Sequence, residues 1–590
     1  MSTDPRSPVF LAPHFAFLPI DSTQGEIRLL RVSPGRDSDA IQCSYEITNV
    51  NDNEDVPHET ISYVWGKMDS KRTILIDDMM VELTENLFNA LRRVRHATRN
   101  RYLWVDALCI NQEDDAEKAA QVNIMHRIFS RCARCNIWMG NIDAASLGVT
   151  DSEAVEAARG ALDVIRILAG EDIGRNLYPY LATATQHIQA GKALKILMAA
   201  PWWTRIWTVQ EATSPWNLNV LWGPLSIPWH LLMKASEELV EGNYHAGERL
   251  DYYDIFPEGN SAFLTGPIIG LRIASEWAVE PESTLNMLWR FRYRDSTDPR
   301  DKVFVILNLV AEGLCPLPSV PSSDYGISTP VLFRRVMLDL LREEHGLRPL
   351  ISMRGERKST PGLPSWVIDW SLPHEWPPLA RFWEHNYFYF SYTADRGLPM
   401  LDRDEMISPE YGENVLNLNG LFYDKVLACS DVIAEGEEED QLQQMCTELI
   451  AMALAEQSHH RIISEVYCRQ ALTDIIEGNF ADETDIFEGE PADEYWRHNM
   501  FSNQRLFITE NGEVGLGPST TSVGDEVWIL SGGRSPFLLS PLHADREDRK
   551  TQDRDALYHY LFRGDVFVPG IENGEAVESR IENQRFVHIH

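Results

Sequence analysis

The sequence predicts an α/β fold at its N-terminal end, a parallel sheet with helices packed on its faces. A mainly helical region and a small β-rich C-terminal module follow. Three observations predict this. Between residues 60 and 140, short apolar runs alternate with helical periodicity in the order strand, helix, strand, helix, strand. From residue 229 the pattern becomes largely helical. From Arg505 glycine-rich turns separate short strand-like runs. The boundaries that follow are lead-in strands at 1–57, an α/β domain at 58–225 with a helical insertion at about 141–200, a mainly helical middle at 226–502, and the β-rich module at 503–590.

Each element has a local reason. Glu26 to Val32 reads as a strand, broken by Ser33-Pro34-Gly35, and Ile41 to Ile47 alternates like a second. Ile61-Ser62-Tyr63-Val64-Trp65-Gly66 is a short apolar strand ending in glycine, and Thr73 to Asp77 a further one. Thr84 then caps a helix with Leu87, Ala90, Leu91 and Val94 at helical spacing. Tyr102 to Asp106 is a buried-looking strand with a carboxylate at its end, and Ala107 to Gln112 the loop after it. Asp114 and Asp115 lead a helix with Val122, Met125, Phe129 and Cys132 on one face, and Asn136 to Gly140 is the next strand. In such a sheet ligands bind beyond the carboxyl ends of the strands, where Trp65-Gly66, Asp106 and Asn111 fall. Further on, Asn219 to Gly223 reads as another strand and Leu363 to Trp370 as an extended, proline-bounded piece. The acidic runs 435–440 and 482–494 read as solvated loops. Glu526 to Leu530 and Asp565 to Val568 read as strands of the C-terminal module.

The stretch Pro201-Trp202-Trp203-Thr204-Arg205-Ile206-Trp207-Thr208-Val209-Gln210-Glu211-Ala212 crowds three tryptophans around one carboxylate. With Thr204 as N-cap it reads as a helix on which Trp207 and Glu211 share a face. An indole wall raises a carboxyl pKa by desolvation, and nearby Arg205 lowers it. Two readings fit: a core helix with an exposed glutamate at the solvent edge, or a tuned carboxylate in a site.

Composition narrows the function. The 590 residues carry 53 basic and 89 acidic side chains, a formal charge of −36, which disfavours nucleic acid and anionic membranes. Eight cysteines are irregularly placed, and Cys132-x-x-Cys135 has no second pair at zinc spacing, so no resident metal or cofactor is expected. With no signal peptide and no apolar run of the ~20 residues a membrane span needs, a cytoplasmic protein is expected. There is no P-loop, no Gly-x-Ser-x-Gly elbow and no His-Glu-x-x-His pair.

Tyr63-Val64-Trp65-Gly66, Leu103-Trp104-Val105-Asp106-Ala107-Leu108-Cys109-Ile110-Asn111-Gln112 and Pro201 to Glu211 occur in that order. Together they resemble the heterokaryon-incompatibility (HET) domain of filamentous fungi, over roughly 58–212. Asp298-Pro299-Arg300-Asp301-Lys302 is similar to a common downstream feature of such proteins. The resemblance implies a role in self/non-self recognition and programmed cell death, and a remote likeness to the flavodoxin-like TIR fold. There a Trp-x-x-x-Glu helix carries the glutamate that cleaves NAD, here Trp207 to Glu211. It implies Glu211 as the catalytic residue, and Tyr63, Trp65, Gly66, Asp106, Asn111, Arg205 and Trp207 as substrate-binding residues, with NAD as substrate.

That chemistry stands on its own. Cleaving nicotinamide from ribose builds an oxocarbenium-like cation, which one fixed carboxylate can stabilise. The pyridinium leaves without a proton, so a second carboxyl is unnecessary. The alternative from another class is a non-catalytic module that acts by homo-oligomerisation or by recruiting a protein partner.

Overall fold

The computed structural model describes residues 9–10 and 17–590. Outside the description lie 53–56, 67–68, 172–178, 241–251, 257–261, 277–282, 308, 310–316, 353–357, 373–391, 402–404, 408–411, 435–436, 438, 457–461, 478–502, 543–557 and 579–582. The acidic run 482–494 lies outside the described residues, as do 435–436 and 438 of the run 435–440, whose last two residues open the helix Glu439–Glu456. The chain folds as two compact units. The first is formed by residues 1–282, 293–316 and 321–326, the second by 283–292, 317–320 and 327–590.

The first unit is built on a sheet of ten strands: β1 (Val9–Phe10), β2 (Glu26–Val32), β3 (Gln42–Asn49), β4 (Glu59–Tyr63), β5 (Lys71–Ile76), β6 (Met79–Thr84), β7 (Arg101–Trp104), β8 (Arg134–Trp138), β9 (Leu218–Trp222) and β10 (Leu225–Pro228). Their order is β1-β6-β5-β3-β2-β7-β4-β8-β9-β10. This corrects the expected parallel sheet, because the sheet is mixed. The neighbours β7, β4, β8 and β9 run parallel, while β2 joins β7 antiparallel and β9 turns back into β10.

Two local features produce the mixture. Asp77 and Asp78 both sit at positive φ, the backbone that a tight two-residue hairpin demands, so β5 folds back on itself as β6. The lead-in strand β2 carries Ile27, Leu29 and Leu30 fully buried and pairs Leu30 with Leu103, so it enters the sheet as a member. Its Arg28, 1% exposed, donates two hydrogen bonds to Glu117 at 2.5 and 2.8 Å and one to the Cys109 carbonyl at 3.0 Å. That clamps the strand to the loop after β7.

The helices follow their periodicity. Glu85–Val94 buries Leu87, Ala90, Leu91 and Val94, and Asp115–Ser130 starts on the side chain of Asp114, which accepts from the amides of Ala116 and Glu117. The insertion contains the helices Asp151–Leu168 and Ala184–Met198, each opened by a capping box, Thr150 with Glu153 and Thr183 with Gln186.

The second unit contains β11 (Leu416–Cys429), β12 (Gln504–Thr509), β13 (Val514–Pro518), β14 (Glu526–Leu530), β15 (Phe537–Pro541), β16 (His559–Asp565) and β17 (Arg585–Ile589). Strand β11 pairs with β14 and also with β17, so β11, β14, β15, β16 and β17 close on themselves. Closure satisfies the edge amides that an open sheet would expose. The hairpin β12–β13 continues from the far half of β11, beyond a bulge. The long β11 lies before residue 503 and carries no break signal; its alternation over 416–429 is the trace it leaves in the sequence. The expected strand at 565–568 is instead β16, ending at Asp565, and 363–370 is a run of turns.

Candidate functional site

Glu211 lies on the short helix Thr208–Thr213, directly before β9. The continuous helix expected from Thr204 does not form. Pro201–Thr204 is a 3-10 turn, Arg205 is extended, and the Ile206 amide bonds to the Asp295 carbonyl at 2.9 Å. The Thr208 hydroxyl caps the break by donating to the carbonyls of Trp202 and Arg205. Buried Arg294 donates to that hydroxyl at 2.7 Å. Trp207 sits just before the helix, yet the Glu211 amide still reaches its carbonyl at 3.3 Å.

The carboxylate is not at the solvent edge. Glu211 is 5% exposed, a correction to the expectation from sequence. Its helix packs against β4, and the Ser62 hydroxyl of that strand donates to Glu211 Oε2. Trp202 Nε1 donates to the same Ser62 oxygen at 2.7 Å. Burial pushes the Glu211 carboxyl up to about 7, and the Asp106 charge adds to the rise. The Arg205 charge and the Ser62 hydrogen bond act downward.

A second group of side chains acts on it through charge. Trp65 Nε1 donates to Asp106 Oδ2 at 3.1 Å, Arg205 Nη2 lies 3.7 Å from the same oxygen, and the Arg205 guanidinium sits 5.3 Å from the Trp65 ring centre. Arg205 Nη1 donates to the Tyr63 carbonyl at 2.8 Å, tying this group to the end of β4. The Tyr63 phenol is buried and feels Asp106, Glu211 and Arg205 together. Burial and the two carboxylates push it well above its ordinary range. Asp106 itself accepts the Ala107 amide at 2.7 Å, as expected of a carboxylate that fastens its loop.

Tyr63, Trp65, Asp106, Arg205 and Glu211 are thus brought together. The other three residues stand differently. Gly66 takes φ +79°, and a Cβ there would meet Asn86 Cβ at 2.9 Å, so glycine lets the chain turn against that side chain. Asn111 is engaged with its own loop: its amide donates to Glu117 and its side chain accepts from the Glu113 amide. Trp207 hydrogen-bonds Asp301, whose buried carboxyl is pushed up to about 6. Of the three tryptophans, Trp203 packs on Trp229 at 5.8 Å, and only Trp202 reaches the carboxylate through Ser62.

Sequence reasoning passed over Ser62, Asn86 and Asp301. Asn86 donates to the Val64 carbonyl at 2.7 Å and accepts from Trp138 Nε1 at 2.8 Å, so it fixes the strand end from below. Ser62 had a signal, being a hydroxyl inside an apolar strand, which needs a buried partner. Asp301 had one too, in the densely charged stretch 290–302 that precedes the apolar run 303–307. Asn86 had none.

Cys132 and Cys135 are both buried. Burial pushes Cys132 up to about 11 and Cys135 well above its ordinary value, so neither favours the thiolate that binds metal. Among the described residues, no three His, Cys, Asp or Glu side chains could hold a metal ion, and no helix is long and apolar enough to cross a membrane.

Residues 58–211 match the family model described as "Heterokaryon incompatibility protein (HET)", and residues 486–589 match that of the "Het-6 beta-barrel domain". The chain is 21% identical to "Heterokaryon incompatibility protein 6, OR allele" of Neurospora crassa, over 88% of this chain and 90% of that protein. No solved structure matches it. These matches support a fungal HET-domain protein, with the candidate site inside the HET match and the closed sheet largely inside the barrel match.

Proposed function

We propose that this protein serves fungal self/non-self recognition and the cell death that follows it, and that its first unit does so in the cytoplasm by cleaving NAD or a related nucleotide. The single observation that carries the chemistry is Glu211, a buried carboxylate held by Ser62 and pushed up to about 7, within reach of the Arg205 and Asp106 charges. Two further features support it. The four parallel strands β7-β4-β8-β9 have the order 2-1-3-4 among themselves, that of flavodoxin-like sheets, to which TIR domains are similar. Trp65, Asp106 and Arg205 lie at the carboxyl-end edge, where such sheets bind ligands.

In this reading Trp65 and Arg205 receive the nucleotide and Asp106 holds them in place. The bond between C1′ and the nicotinamide nitrogen breaks with its electron pair going to nitrogen, which neutralises the pyridinium. Ionised Glu211 stabilises the ribosyl cation left behind. Water adds at C1′ and gives its proton to Glu211. No second acid is required.

One observation favours a second reading. Glu211 and Tyr63 are 5% and 1% exposed, as expected of a structural carboxyl in a non-catalytic module that triggers death by self-assembly or by recruiting a protein partner. Overexpression separates the two. The enzymatic reading expects Glu211→Gln to abolish killing and to spare cellular NAD. Equal killing by both proteins, with NAD unchanged in both, sinks it and leaves the scaffold.

A further inference from the structure

We propose that the second unit carries a binding site for a small carboxylate with an apolar body, in a cavity of about 320 Å³ between the loop 358–371 and β16. The volume is at the lower end of the range that small-molecule sites occupy. Its walls are apolar at Leu363, Pro364, Val367 and Phe562 and polar at Arg563 and Thr520.

The loop that forms one wall is fastened by its own charges. Asp369 accepts from the amides of Ser359, Thr360 and Ser371 at 2.8, 2.9 and 3.1 Å, and from the hydroxyls of Thr360 and Ser371. The Lys358 ammonium donates to the carbonyls of Ser365 and Val367, each at 2.6 Å, and to that of Pro364. Trp366 and Trp370 anchor the loop in the core at 0% and 1% exposure. Ser365 pins it to the sheet, accepting the Phe562 amide at 2.8 Å and donating its own amide to the His590 carbonyl at 2.8 Å. The wall is therefore preorganised, and Lys358 and Asp369, one of each sign, are committed within it.

Arg563 differs. Its Nε donates to Ser540 at 2.6 Å, and Ser540 in turn donates to Asp525, which fixes the side chain from one side. Its two terminal amino groups have no hydrogen-bond partner among the described residues, and neither has the buried hydroxyl of Thr520. His590 also lines the cavity, but burial and neighbouring His559 lower the pKa of its imidazole, so that ring adds no positive charge near neutral pH. A guanidinium fork whose two terminal nitrogens make no hydrogen bond, beside an apolar wall, fits a monoanionic carboxylate bound through both oxygens better than a phosphate dianion.

The test is calorimetric titration of the full chain with benzoate, octanoate and inorganic phosphate at matched ionic strength. Benzoate is expected to bind and phosphate to show no comparable heat. Arg563→Gln should weaken benzoate on the order of tenfold or more, and Arg563→Lys should recover only part of the loss. No binding of either carboxylate up to about 10 mM, tighter binding of phosphate, or equal benzoate affinity in a folded Arg563→Gln would each overturn the proposal. Octanoate binding without benzoate retains the head-group assignment and makes the apolar body flexible. Should Arg563→Gln fail to fold by circular dichroism, Arg563→Lys takes its place, and unchanged benzoate affinity there overturns the site.

Discussion

Glu211 titrates near 7 in the folded chain against an ordinary value of 4.5. A carboxyl raised on folding binds its proton more tightly in the native state, so stability falls as pH rises from about 4.5 through 7 and stays lower above. Removing the charge should reverse that loss. Glu211→Gln is expected to melt higher than the parent at pH 8 by an amount that approaches ~3 kcal/mol at most, and to match it near pH 4. Thermal or urea unfolding at both pH values checks it, and a destabilised variant at pH 8 contradicts the burial of a costly charge. Ser62→Ala removes the hydrogen bond that favours the ionised form. The carboxyl should then titrate higher, seen by carbon NMR of the labelled side chain, and an unmoved titration removes Ser62 from the site. The pairing of Trp207 with Glu211 was legible as a spacing, but the direction of each ring was not. Spacing fixes a helical face only if the helix is continuous, and here it breaks between Thr204 and Thr208 because Asp295, ninety residues later, supplies the partners.

At the scale of elements, the strands whose apolar face is buried announced themselves, since burial on a sheet imposes the alternation that the sequence displays. The strands β6 and β10 were not legible. Each is the short return arm of a tight hairpin, at Asp77-Asp78 and Gly223-Pro224, and its apolar alternation, Val81 with Leu83 and Leu225 with Ile227, spans too few residues to mark a strand. Strand β11 shows how closure is achieved. Its Gly420 faces Leu530 on one neighbour and Arg585 on the other. A Cβ there would meet Leu530 Cδ2 at 2.7 Å and the Ile529 carbonyl oxygen at 2.9 Å. Gly420→Ala should therefore destabilise the second unit by roughly 1–3 kcal/mol, the usual cost of overpacking. Urea denaturation followed by the fluorescence of Trp528, buried on β14, measures it, and an unchanged midpoint contradicts the close approach.

For the whole molecule, the first unit extends past the HET match in both directions. It takes β2 and β3 from before residue 58, and Arg294, Asp295 and Asp301 from after residue 225. A fragment of residues 1–326 is expected to fold with a single cooperative transition, and a fragment of 58–225 to remain unfolded, because β7 loses β2 and Thr208 loses Arg294. Proton NMR dispersion of the two fragments decides this, and a well-folded 58–225 would show that the flanks are dispensable. The lead-in strands at 1–57 were expected to pack on the domain, but the membership of the later segment was not legible, since long-range pairing leaves no local mark on a charged segment such as 290–302. The central claim is that ionised Glu211 stabilises a ribosyl cation, and nicotinamide release from NAD by the full chain, followed across pH, tests it most directly. The account predicts a rate that rises through about pH 7 in the parent protein and falls by roughly 10²–10³ in a folded Glu211→Gln at pH 8. Equal release by both proteins at pH 8, or no release by the parent at any pH and protein concentration, would contradict it.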